Sequence, residues 1–398
     1  MSSKIFSKGL IIAVIVLIIN MSIPSTGFDI EKSTHPYNGN TLYVGGSGPG
    51  NYTKIQVAID NASDGDTIFV YNGTYNENVI VGKSLNLFGE NRHITFIDGN
   101  GSDDVIYISA CNTTISGFTI KNSGNGSYFN AGIVIHSSYN IIKNNIISNN
   151  KECGVYCNMG ERYGNNHIFN NVISNNNEDG IIIENSGVNK NENFVFCNYI
   201  ENNSYGIFIM PLYLPDGCAV EGYIYNNTIL RNEVGIVIAQ GFGIQVFDNT
   251  ITKNEYGLSL WGEWFGCFNN SIYGNKISEN KNGIRIESGF MGGACRNNIY
   301  LNNITGNNRG IYIKSFFDSG FPNKNNISKN NFLDNKINAF FYCGRLFSNK
   351  NNIWIGNYWD KPRENPYIIF GAIGTFLVLI QIPWINIDWH PAKEPYDI

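Results

Sequence analysis

The sequence predicts an all-β chain: a right-handed, single-stranded parallel β-helix of about ten to eleven coils, with an N-terminal capping helix and a C-terminal cap. Three observations predict it. One phrase, Gly-Ile-x-Ile followed by Asn-x-Ile-x-x-Asn, returns along most of the chain. Its anchoring asparagine recurs at intervals of 22–29 residues, the period of solenoids and propellers. Inside each phrase the apolar residues alternate with period two, which is strand spacing and not helix spacing.

Composition narrows the class. The 398 residues are 42% hydrophobic but only 15% charged, with a formal net charge of −5, so solubility rests on uncharged polar groups, chiefly asparagine. No basic surplus exists to displace phosphate counterions, which argues against nucleic acid as a partner. With 25 Phe, 23 Tyr and 6 Trp, the chain carries too many apolar side chains to be disordered.

Residues 1–27 join Lys4 and Lys8 to an apolar run from Leu10 to Ile19 and then Pro24-Ser25-Thr26-Gly27. This describes a secretory signal, or an N-terminal anchor that would be the chain's link to a membrane. The run is shorter than the roughly 20 apolar residues of a spanning helix. Residues 28–39 read as a linker. An exported chain with eight cysteines permits disulfides. Neither the cysteine spacing nor the five scattered histidines fits a metal site, so no metal and no cofactor is expected. Sequons such as Asn51, Asn112, Asn202, Asn226 and Asn326 recur, as an Asn-rich sequence produces by chance.

Residues 40–126 are read as the N-terminal cap and first coils. Tyr52–Ala62 is expected to be a short amphipathic helix with a capping box from Thr53 to Gln56. A helix there would cover the open end of the solenoid. Residues 127–359 are the repeated coils. Their glycines are Gly132, Gly154, Gly180, Gly206, Gly235, Gly257, Gly283 and Gly310. Their anchoring asparagines are taken as Asn145, Asn171, Asn198, Asn227, Asn249, Asn275, Asn302, Asn331 and Asn357. Pairs such as Ile207/Ile209 and Ile236/Ile238 face inward, and Cys157 replaces one such Ile. With only two inward residues per strand, the units are too short for propeller blades. Asparagine suits the turns because it tolerates left-handed geometry, and stacked amides can donate to one neighbour and accept from the other. Residues 360–398 form the C-terminal cap, with the apolar stretch Ile368–Ile382 as its strands.

The stretch Ile55-Gln56-x-Ala58-Ile59, Gly65-Asp66-Thr67-Ile68-x-Val70, Gly73-Thr74-Tyr75-x-Glu77, Leu87-x-Gly89 and Ile97-Asp98-Gly99 resembles the opening of archaeal and bacterial pectin-lyase-like β-helix proteins. The repeat resembles the NosD-type β-helix, grouped with carbohydrate-binding and sugar-hydrolase (CASH) repeats. The ending Gly356-Asn357-Tyr358-Trp359 is similar to the coil that closes archaeal members. The resemblance covers roughly Asn40 to Asp360 and implies the fold. The shared residues are turn and core positions, which say little about the site grafted on them. NosD implies copper-enzyme maturation in the periplasm, yet no Met/His/Cys cluster here resembles a soft copper site.

Function is sought in what the repeat leaves unspecified. Inserts follow each Gly-Ile-x-Ile strand and pile up along one side. Aromatic residues in and beside them, Tyr213, Trp261, Trp264, Phe265, Phe268 and Phe290, are expected to form a surface on which sugars stack. Trp261 or Trp264 should then be at least half exposed. Outward positions of the same strands carry His136, Glu184, Arg285, Glu287 and Lys314. Glu184 and Glu287 stand four coils apart, too far for a glycosidase pair. Glu263 and Glu287 fall in adjacent coils beside Arg285, which makes these three the catalytic candidates. Cys267 and Cys295 have similar offsets from their anchors and are the candidate disulfide.

The reading that follows is a secreted or cell-surface monomer that binds a polysaccharide or cell-envelope glycan without catalysis. The alternatives are a polysaccharide lyase or glycoside hydrolase of the pectin-lyase-like class, and a NosD-like copper accessory protein. Two carboxylates facing one cleft would favour the enzyme; clustered Met, His or Cys would favour metal.

Overall fold

A computed structural model describes residues 39–126, 130–159, 164–185, 192–211, 222–263, 266–289, 292–315, 322–343, 352–374 and 381–398. The signal segment lies outside them. Each coil contributes one short strand to each of three parallel sheets. Among the described residues, sheet A has thirteen strands, from Thr41–Val44 to Ile353–Ile355. Sheet B has twelve, from Gly73–Asn76 to Tyr358–Trp359, and sheet C has thirteen, from Val79–Val81 to Gln381–Asp388. The chain is a parallel β-solenoid, as its period-two pattern requires. The inward residues stack in columns. Ile135, Cys157, Ile183, Ile209, Ile238, Leu260, Ile286 and Ile313 are paired coil to coil and buried in one continuous core. Burial without a partner pushes the Cys157 thiol up to about 12, the behaviour of a small hydrophobe.

The glycine opening each sheet C strand is there for close approach. A Cβ on Gly180, Gly206 or Gly235 would stand 2.5 Å from the carbonyl oxygen of the next coil's glycine, and none of the three has a left-handed φ. Only a residue without a side chain lets the coils stack there.

Asparagine ladders run up the corners. Between sheets A and B, Asn145, Asn171, Asn198, Asn227, Asn249, Asn275, Asn302, Asn330 and Asn357 are linked Nδ2 to Oδ1 at 2.9–3.3 Å. A second ladder, Asn150 to Asn335, occupies the corner between B and C. The corner between C and A holds a shorter one, Asn270, Asn297, Asn325 and Asn352. Two expectations need correction. The ladder passes through Asn330 and not Asn331, which opens a sheet B strand opposite Asn303. The left-handed residue is not the ladder asparagine but the one before it: Asn144, Asn170, Cys197, Asn226, Asp248, Leu301 and Lys329 have φ of 53–56°. One residue turns the chain and the next satisfies it.

The N-terminal helix is Ile55–Asn61, shorter than expected, and Ile55, Ala58 and Ile59 join the core beside the first strands. No capping box forms. The N-cap is Lys54, and the carboxylate of Glu77 accepts from Ile55 N (2.9 Å) and Gln56 N (3.0 Å). An acid from a later coil does the capping because it arrives already positioned at the positive end of the helix. At the C-terminal end Tyr367–Gly374 and Gln381–Asp388 pair antiparallel. Trp359 is sandwiched between Phe332 (4.3 Å) and Tyr367 (4.0 Å). The buried carboxylate of Asp388 accepts from Trp359 Nε1 (3.1 Å) and from the last ladder amide, Asn357 Nδ2 (3.2 Å).

Candidate functional site

Sheet C is where the chain departs from its own repeat. Its inward positions stay apolar, mostly Ile or Leu, but its outward rows change chemistry from coil to coil. One row reads Phe208, Val237, Ser259, Arg285 and Tyr312; the neighbouring row reads Ala239, Trp261, Glu287 and Lys314. The residues before the opening glycines, Tyr205, Val234, Tyr256 and Arg309, also lie against this face.

Arg285 organises the face. Its guanidinium lies 4.2 Å above the ring of Tyr256, its Nε donates to Ser259 Oγ at 3.0 Å, and Glu287 Oε2 stands 3.2 Å away. Glu287 is buried, so its carboxylate depends on that partner. One coil on, Arg309 lies 5.0 Å from the Tyr312 ring centroid and Nη1 donates to Asn282 Oδ1 at 3.4 Å. Lys314 shares a row with Glu287. Burial pulls its amine below the ordinary lysine value; Glu287 opposes that and Arg285 adds to it. Arg285 thus pairs with Glu287, Lys314 stands next to that carboxylate in the row, and Arg309 lies on the neighbouring ring of Tyr312.

Earlier coils of the same face are drier. Val134, Tyr156 and Ile182 form a small cluster outside the barrel wall, with Phe208 and Met210 against it. Tyr156 O–H donates to the buried carboxylate of Glu184, and burial followed by that contact drives the phenol well above its ordinary pKa. Asp179 is pushed up to about 7, by burial first and by Glu178 after it, although Tyr205 N donates to it at 3.1 Å. Asp104 and Glu152 are raised by the same cause and accept from Ala131 N (2.9 Å) and Asn130 N (2.6 Å). These acids serve as backbone acceptors.

The structure brings Arg285, Glu287 and Trp261 together. Glu263 lies one row further along, across Gly289, where an added Cβ would meet its Cγ at 3.1 Å. Trp261 is partly buried against Val237 and Ala239, so the half-exposed indole expected of Trp261 or Trp264 would have to be Trp264. Trp264, Phe265, Phe290 and Tyr213 lie outside the described residues. Phe268 is half-buried in the short strand Cys267–Phe268 and bridges to Phe242. The expected disulfide needs correction. Cys267 pairs with Ala294, and Phe268 with Cys295, so the two cysteines are one residue out of register and face opposite sides. Cys267 points into the core beside Asn270, and burial pushes its thiol up to about 12.

Sheet A carries an aromatic feature that sequence reasoning passed over. Phe169, Phe196, Tyr225, Phe247, Tyr273 and Tyr300 stack up its outer face with ring centroids 4.7–5.1 Å apart and planes within 12°. The signal was present: an aromatic stands two residues before each of these ladder asparagines. The four inner rings have both faces covered by their neighbours, so a sugar, which stacks its C–H face on a ring face, finds no platform between Phe196 and Tyr273.

Among the described residues, no group of three or more His, Cys, Asp or Glu side chains is placed to hold a metal ion, and no helix is long and apolar enough to cross a membrane. Cys157, Cys267 and Cys343 point into the core.

Comparison with known proteins agrees with the fold. Residues 217–364 match the family described as periplasmic copper-binding protein (NosD), and residues 79–234 match a family of unknown function, DUF1565. A cell surface glycoprotein of Methanothermus fervidus is 34% identical over 262 residues; the match covers 58% of this chain and 41% of that protein. A hyperthermoactive exopolygalacturonase from Thermotoga maritima superposes with a TM-score of 0.53 at 11% identity, covering 85% of this chain and 91% of that one. The catalytic unit of a GH87 α-1,3-glucanase from Streptomyces thermodiastaticus gives 0.51 at 12% identity, covering 80% and 68%. At such identities the likeness establishes the pectin-lyase-like fold alone.

Proposed function

We propose that this chain is an extracellular or cell-envelope β-helix protein that binds a glycan along the outer face of sheet C without cleaving it. The observation that carries the reading is the Arg285 constellation: a guanidinium held on Tyr256 and Ser259, its one close carboxylate buried beneath it. Arg285, Arg309 and Lys314 outnumber Glu287 and Glu263 by one charge, so the face favours a sugar carrying carboxylate or sulfate groups. Glycoside hydrolysis needs two carboxyl groups about 5–9.5 Å apart. Glu184 and Glu287 are four coil spacings apart, roughly 19 Å, and Glu287 is committed to Arg285. The catalytic alternative therefore rests on Glu263 acting with Glu287 and Arg285. The cell surface glycoprotein relative and the carbohydrate-active proteins that share the fold support an envelope setting and a glycan partner. The thiols of Cys157, Cys267 and Cys343 face the core and are not presented to a copper ion at the surface.

The test is a glycan array of the mature chain run beside reducing-end and unsaturated-product assays. Binding to acidic glycans, lost in Arg285→Ala and without product release, is the expected result. Product formation that Glu287→Gln abolishes would replace the binding reading with the enzyme.

A further inference from the structure

We infer that the chain is N-glycosylated at exposed corner asparagines, Asn112, Asn202, Asn226 and Asn269 among them, and that the attached sugars leave sheet C bare. This rests on the envelope reading above, because only a chain exposed to the glycosylating face of a membrane can be modified. Each of the four opens an N-x-[ST] sequon, completed by Thr114, Ser204, Thr228 and Ser271. Each is exposed, and each sits in the left-handed region with φ of 54–57°. That conformation turns the backbone at the corner and leaves the side chain on the convex side. The following residue opens or extends a ladder, facing inward, and the hydroxyl residue begins or borders the next strand.

Asn100, which opens Asn100-Gly101-Ser102, is likewise exposed with φ of 53° and joins the four; Asn61 and Asn72 are exposed outside left-handed turns, and the sequons at Asn303, Asn326 and Asn51 are more enclosed. Asn303 lies within a sheet B strand, half-buried; its Nδ2 donates to Ile398 O at 3.2 Å and its Oδ1 accepts from Asn331 at 2.9 Å. Asn326 is half-buried in a sheet A strand. Asn51 is half-buried, with Nδ2 donating to Gly45 O at 2.6 Å, whereas Asn202, whose Nδ2 donates to Asn175 Oδ1 at 3.3 Å, is exposed. A glycan is bulkier than the spacing of about 4.8 Å between coils, so a strand position offers it no room, whereas a corner does.

The four sites fall on all three corners: Asn226 between sheets A and B, Asn202 between B and C, Asn112 and Asn269 between C and A. Among the described residues, no strand of sheet C contains a sequon asparagine. Glycans at the corners would screen the edges and keep the Arg285 face open. They would also add the hydration that a chain with 15% charged residues lacks.

The chemistry is a group transfer. The amide Nδ2 bonds to the anomeric carbon of a lipid-phosphate-linked oligosaccharide, and the bond from that carbon to the phosphate oxygen breaks. The lipid phosphate leaves with the electron pair, and the amide proton passes to a base of the transferring enzyme. Nothing is oxidised or reduced.

The experiment is glycopeptide mass mapping of the full chain purified from its own cells after fractionation. Peptides containing the four asparagines should carry sugar-residue mass increments, and those containing Asn303, Asn326 and Asn51 should not. Thr228→Ala, which keeps Asn226 in its turn, should lower the intact mass by one glycan. Envelope-located protein with the bare polypeptide mass, or with equal occupancy at Asn303 and Asn326, overturns this inference and leaves the glycan-binding reading standing. Recovery only from the cytoplasm, with no sugar attached, overturns both.

Discussion

The outer faces of sheets A and C are built on the same coil spacing and reach opposite ends. On sheet A one row repeats an aromatic ring, Phe or Tyr, so six rings stack on one another and the inner four are covered on both faces. On sheet C the rows change type at each coil: Val237, Ser259, Arg285 and Tyr312 in one, Ala239, Trp261, Glu287 and Lys314 in the next. A repeating row spends its interactions on stability. A row that varies leaves cations and hydrogen-bonding groups over, and those are what a ligand can use. The difference separates a structural surface from a recognition surface on one scaffold.

The largest expected effect tests the sheet A half of that contrast. Phe247 lies between Tyr225 (4.9 Å) and Tyr273 (5.0 Å). Phe247→Ala should cost about 2–4 kcal/mol in urea unfolding and leave glycan binding untouched. A loss of binding with unchanged stability would reverse the roles assigned to the two faces.

The second uses pH on sheet C. Asp179 titrates near 7 in the folded chain, against about 3.9 unfolded. The folded state therefore holds the proton more tightly. The stability linked to it is complete below about pH 4 and is lost as pH rises through 7. Asp104 and Glu152 are raised as well and push in the same direction. Unfolding at pH 5 and pH 8 should differ by on the order of 1–2 kcal/mol in favour of pH 5. Asp179→Asn, which keeps an acceptor for Tyr205 N, should narrow that gap; an unchanged gap would assign the dependence to other groups.

The third concerns a corner that adjoins the aromatic row. Leu301 follows Tyr300 and holds φ at 53° without the polar side chain that eases this conformation. Leu301→Asn should gain about 1 kcal/mol, read as a higher midpoint in thermal or urea melts. No gain would mean that Leu301 packs well enough to offset its strain.

The smallest effect on stability belongs to Tyr256, half-buried beneath Arg285. Tyr256→Leu should change stability by no more than about 0.5 kcal/mol while lowering affinity for an acidic glycan. Equal affinity for wild type and variant would remove the ring from the binding face.

Several of these positions were legible before any coordinates. Period-two alternation repeated in every coil places Ile209, Ile238 and Cys157 inside, because a strand has only two faces and one must be apolar. Glu287 beside Arg285 was readable for the same reason, since both sit on outward positions of one strand. The aromatic row was readable too, as a residue type recurring two places before the ladder asparagine.

What the sequence determined by itself is therefore whatever repeats: the three-sheeted coil, its inward columns, and the presence of asparagine at its turns. Repetition averages over local ambiguity, so a pattern stated many times survives one irregular coil. Single events were left to the tertiary structure. In Asn330-Asn331 either amide fits the pattern, and only bonding to Asn302 and Asn357 selects the first. Cys267 and Cys295 stand eight and seven residues before their anchors, and the wound strands show that this single residue of difference inverts the face. The helix at Ile55 is capped by Glu77, 22 residues away, rather than by its own neighbours. Arg285 meets Tyr256 and Ser259 because the preceding coil lies beneath it. In each case the deciding partner lies about one coil away in the chain and one strand spacing away in space, a distance that only the wound chain makes short.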